Sequence, residues 1–117
     1  MKLARFFVFV GSLAVLTSAS AMSLRELRGL ELSDKKQGEA YANYYLVGVM
    51  EGAMEANAFH VRAGAKPLFC QNGRRLEPRM VRSLYDTELK RNSELYEADM
   101  GVPLVMANAL ATAYPCE

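Results

Sequence analysis

Few residues in this chain have the type and spacing to do chemistry. His60 is the only histidine, and Cys70 and Cys116 are the only cysteines. A single histidine offers one general base and proposes no Ser-His-Asp set. It stands near the end of a helical stretch, where an exposed or hydrogen-bonded structural histidine is the expected reading. Two cysteines fall short of the four ligands that close a structural zinc site. No glycine-rich loop is built to cradle a phosphate. Glu88, Glu94, Glu97 and Asp99 could pair as acid and base, but at these spacings they read as a solvated face. The expectation is a protein without catalytic residues, metal or cofactor.

Two charge clusters remain. Arg74, Arg75, Arg79 and Arg82 follow Cys70, and Glu94, Glu97 and Asp99 come after the next helical stretch. As ordinary surface, they would at most share a weak salt bridge. The arginines also suit an acidic partner, an anionic lipid or a wall polymer. Tyr96 sits among the acids. Exposed there, it would suit a protein-binding loop; packed onto the core, it would be structural.

The N-terminus decides how the cysteines are read. Lys2 and Arg5 precede an apolar run from Phe6 to Leu16, and small residues follow to Ala19-Ser20-Ala21. This is the order of a cleaved secretory signal, and the run is well short of the roughly 20 residues of a membrane-spanning helix. The expected division is a signal peptide over residues 1–21 and one domain over 22–117. The localisation expected is the periplasm, with no membrane attachment after cleavage. Removing Lys2 and Arg5 takes two from the 14 basic side chains, against 13 acidic ones, for a net charge of −1. Such a balance gives no field that would draw nucleic acid. In a small exported chain two cysteines have one intramolecular pairing, a Cys70–Cys116 disulfide.

The elements that position these residues read as helices. Ser23 and Glu26 form a capping-box pattern, with Gly29 expected to end that first helix. The long segment from Ser33 to Gly64 carries Tyr41, Tyr44, Tyr45, Gly48, Val49, Gly52, Ala56 and Phe59 at steps of three and four, the period of a helix face. Leu46, Met50 and Met54 widen its apolar surface. Ser33 or Asp34 is expected to cap it and Gly64 to close it. Gly48, Gly52 and Ala56 form a small-residue ridge suited to helix packing, and a role in dimerisation is open. A third helix is expected from Pro78 to about Arg91, with Met80, Val81, Leu84, Tyr85 and Leu89 inward. The stretch from Asn92 to Gly101 reads as an acidic loop. A last helix begins near Pro103, buries Val105, Met106, Ala109, Leu110 and Ala113, and stops at Pro115. No segment alternates as a strand does, so the fold class is all-α: about four helices around one long central helix.

"YLVGVMEGAMEAN", "PLFC" ending at Cys70 and "ANALATAYPC" ending at Cys116 occur in an order and spacing that resembles the Rap/Tai type immunity family. These are small periplasmic proteins that neutralise amidase effectors of type VI secretion. The resemblance runs from about Tyr41 to Cys116. It implies a helical, disulfide-containing, often dimeric protein that blocks the active-site cleft of a peptidoglycan amidase. In such proteins an exposed loop between helices enters the cleft. The matching position here implies a partner-binding set of Asn92, Ser93, Glu94, Tyr96, Glu97 and Asp99, with Asn92-Ser93 standing where a His-Pro step is often found. Two alternatives share the same size and compartment: a small acid-stress chaperone, and an envelope protein without a cognate effector that dimerises through Gly48 and Gly52.

Overall fold

A computed structural model describes residues 20–117, so the expected signal segment lies outside the described residues except for its last two positions. Four α-helices form: α1 (Leu24–Ser33), α2 (Gly38–Arg62), α3 (Val81–Arg91) and α4 (Val102–Ala113). Single 3-10 turns at Pro78–Met80 and Ser93–Leu95 precede and follow α3. The fold is all-α, as the periodicity indicates, and α2 packs against all three other helices.

Ser23 begins α1 with the expected box. Its hydroxyl accepts from the Glu26 N–H (3.2 Å), and the Glu26 carboxylate accepts from the Ser23 N–H (2.7 Å). The helix does not stop at Gly29 but continues to Ser33. An interior glycine costs about 1 kcal/mol, and burial of Leu24 and Leu27 with packing of Leu30 on the far side of Gly29 offsets it.

Asp34 does not cap α2 directly. Its carboxylate accepts from the Lys36 and Gln37 N–H groups and shapes the turn; α2 then starts at Gly38. The glycine is required there, because a Cβ would lie 2.3 Å from the Leu30 carbonyl oxygen. The other end matches expectation: Gly64, at φ +83°, takes the left-handed conformation that glycine adopts without strain.

The buried face of α2 differs from the expected stripe. Ala42, Leu46 and Met50 are buried, whereas Tyr41, Tyr44 and Phe59 are 53%, 77% and 64% exposed. Gly48, Gly52 and Ala56 are exposed as well, and a Cβ on either glycine would meet nothing within 4 Å. The two glycines therefore have no close packing partner among the described residues, while Gly52 and Ala56 border an apolar groove with Leu68, Phe69, Pro103 and Ala107. Apolar residues line α2 on more than one side, and the larger aliphatic set takes the core.

α3 and α4 follow their expected spacing. Val81 and Tyr85 face inward from α3, and Val102, Val105, Met106, Ala109 and Leu110 from α4, with Ala113 half-buried. Cys70 and Cys116 form the disulfide. Beside it the Cys70 N–H donates to the Tyr114 carbonyl at 2.8 Å. Phe69 is buried, whereas Leu68 is 59% exposed. Asn57 fixes this segment to α2: its side-chain oxygen accepts from Leu68 N–H and its amide donates to the Phe69 carbonyl.

The cross-link spans 46 residues, which in the chain-entropy model stabilises the fold by about 4 kcal/mol. Cys70→Ser is expected to lower unfolding free energy by that order in urea titration. Equal midpoints for oxidised and reduced protein would contradict it.

Candidate functional site

The segment Asn92–Gly101 is the surface the sequence singles out, and three sets of bonds hold it. At its start, Glu88 on α3 is a buried carboxylate, 4% exposed. Its Oε1 accepts from the Tyr96 hydroxyl at 2.5 Å and from the Asn92 side-chain amide at 3.0 Å. Asn108 on α4 donates to the same Tyr96 oxygen at 2.9 Å. Burial, then the bond to Glu88, raises the Tyr96 pKa, which keeps its proton available as a donor. At its end, the segment meets the first turn of α1. Leu24 N–H donates to the Met100 carbonyl and Arg25 N–H to the Ala98 carbonyl, both at 2.9 Å. The first N–H groups of any helix lack internal partners, so α1 satisfies its own terminus by binding this loop. Val102 N–H returns to the Met22 carbonyl at 2.9 Å, and Arg25 pairs with Asp99 at 3.1 Å.

The expected set divides accordingly. Asn92 and Tyr96 are half-buried and point into the scaffold; they hold the loop. Ser93, Glu94, Glu97 and Asp99 are exposed. Glu94 and Glu97 form no ion pair among the described residues, while Asp99 is engaged by Arg25. Between them Leu95 stands 64% exposed, an apolar side chain flanked by carboxylates.

Sequence reasoning missed two residues. Leu95 carries no periodic signal in a short turn. Glu88, grouped with the solvated acids, is internal. It lies three residues after Tyr85 and seven after Val81, on the inward face of α3, and that spacing is the signal that marks it.

The arginines do not meet the acidic loop. Arg74 lies over the Tyr114 ring, 4.5 Å from its centroid, and donates to the Ala113 carbonyl. Arg75 and Arg79 pair with Glu77, at 3.7 and 2.5 Å. Arg82 pairs with Glu31 and Asp86. Each is paired or stacked with groups outside the acidic loop, so the expected bridge between the clusters is absent among the described residues.

His60 is exposed at the end of α2. Among the described residues no three His, Cys, Asp or Glu side chains gather as metal ligands, and no helix is long and apolar enough to cross a membrane. No protein-family model, curated protein or solved structure matches the chain.

Tyr96→Phe leaves a buried carboxylate with one donor fewer, at a cost of about 1–3 kcal/mol. Amides of residues 93–100 are expected to exchange with solvent faster than in the parent, beyond the change at the α2 core. Uniform acceleration across the chain would show that Tyr96 stabilises the fold without specifically holding the loop.

Proposed function

We propose that this protein is an exported, immunity-type binding protein that occludes the active-site cleft of a peptidoglycan amidase delivered by type VI secretion. The observation that carries the proposal is the held loop. Glu94, Leu95 and Glu97 are exposed together on a segment whose backbone is bonded at both ends. A preorganised protrusion loses less entropy on binding than a mobile one, and an apolar residue ringed by polar ones is the arrangement of an interface anchor. The resemblance to the Rap/Tai type family supports the compartment and the partner class. The disulfide is compatible with export.

The test is inhibition of an amidase effector encoded beside this gene. Residues 22–117 are expected to bind and inhibit it, and Leu95→Asp to weaken binding about thirtyfold, the loss of one strong anchor of about 2 kcal/mol. Failure to bind or inhibit any such amidase would remove the immunity reading.

The same proposal includes a homodimer through α2. A two-fold axis at Gly52 places Gly48 opposite Ala56 of a second copy. Small residues then meet small, the self-complementarity an isologous interface requires. Gly52→Leu, whose Cβ would have no neighbour within 4 Å among the described residues, is expected to halve the sedimenting mass without lowering the melting point. A parent protein that sediments as a monomer would exclude this interface.

A further inference from the structure

α1 and α3 flank an open cleft of about 540 Å³, a size within the roughly 300–1,000 Å³ of small-ligand sites. Leu24 and Leu27 from α1 and Leu89 from α3 give it apolar lining, and Arg28, Arg82 and Tyr85 give it donors.

Tyr85 is the informative residue. It is 4% exposed, yet its hydroxyl bonds to no described residue. No fully buried side-chain oxygen or nitrogen lacks a partner among those residues, so the Tyr85 oxygen must reach the surface. The opening that Tyr85 lines is this cleft. Burial above all, then the nearby Glu31 carboxylate, pushes its pKa up to about 12, with the charges of Arg82 and Arg28 acting the other way. At neutral pH it is therefore an O–H donor with both guanidinium groups in electrostatic reach.

The acids around it are already engaged. Glu31 and Asp86 accept from Nη1 and Nε of Arg82, which leaves Nη2 without a bond to any described residue. Arg28 is exposed and has no hydrogen bond or ion pair among the described residues. Three donors thus border a cleft whose two carboxylates are both bound to Arg82. Charge-assisted bonds from such donors to an anionic oxygen are the strong kind.

We propose that the α1–α3 cleft binds an organic carboxylate carrying a short apolar body, of the kind the last residue of a peptide presents. The Tyr85 hydroxyl and the Arg28 and Arg82 guanidinium groups take the carboxylate, and the three leucines take the body. Ser93, Tyr96 and Ala98 of the Asn92–Gly101 loop border the same cleft, but carboxylate binding here does not require the amidase-blocking role and stands or falls without it.

The test is titration of the folded chain, residues 22–117, with N-acetyl-L-leucine, followed by amide chemical shifts and calorimetry. Shifts are expected in residues 24–31 and 82–89, and in Ser93, Tyr96 and Ala98, which border the same cleft. N-acetyl-L-leucinamide, which lacks the charge, and acetate, which lacks the body, should each bind at least about tenfold more weakly, the equivalent of one charged hydrogen bond or a comparable apolar contact. Tyr85→Phe and Arg28→Gln should each reduce affinity by about the same factor with unchanged circular dichroism. Glycyl-glycyl-L-leucine distinguishes the sources: binding equal to N-acetyl-leucine assigns the site to peptide ends, and much weaker binding assigns it to small free acids. No binding, equal binding of acid and amide, shifts confined to other residues, or folded variants that bind as the parent does would overturn the proposal.

Discussion

A carboxylate removed from water must find donors, and the outer half of this structure is arranged around that requirement. Glu88 sits on the inward face of α3 with no cation bonded to it among the described residues. A buried charge without compensation is costly enough to unfold a domain of this size. Asn92 and Tyr96 meet it from the segment that follows, so the chain cannot leave α3 as a frayed end. It must turn closely enough for an amide and a phenol to reach one oxygen. Asn108 then ties the phenol to α4. The same turn delivers the Ala98 and Met100 carbonyls to the unsatisfied N–H groups of α1. One buried acid thereby links three helices through a loop with little apolar surface of its own.

The disulfide serves the opposite end. Cys116 closes the C-terminus onto the segment after α2, and Asn57 anchors that segment to the long helix. The core between the two ends rests on Leu27, Leu46, Met50, Val102, Val105, Met106 and Leu110. In a domain this small that core leaves several apolar side chains outside, including Tyr44, Phe59, Leu68 and Leu95. Binding surfaces are where such residues find a use.

Helix identity was legible because capping and stop residues agree with the periodicity. Ser23 with Glu26, Gly64, Pro78 and Pro115 all stand where the structure begins or ends an element. The orientation of α2 was not legible. Its apolar residues cover most of its circumference, so a tyrosine–glycine row and an alanine–leucine–methionine row both satisfy the helical period. Only the volume and position of neighbouring helices choose between them. The glycines illustrate the same limit: Gly48 and Gly52 look like packing notches but are open, while Gly38, which falls in no pattern, lies against the α1 carbonyls. Of the loop set, the exposed acids were recoverable from charge. The internal roles of Asn92 and Tyr96 depend on Glu88, whose burial follows from its register with Val81 and Tyr85 and not from its type.

The functional account rests on the Asn92–Gly101 loop being a preformed contact surface. Hydrogen–deuterium exchange on the protein mixed with an amidase effector encoded beside its gene, the partner the proposal names, tests this most directly. The account predicts protection concentrated in residues 93–99, beginning from amides that already exchange slowly at the loop's bonded ends. Protection confined to α2 or to the arginines at 74–79, with the loop unchanged, would contradict it.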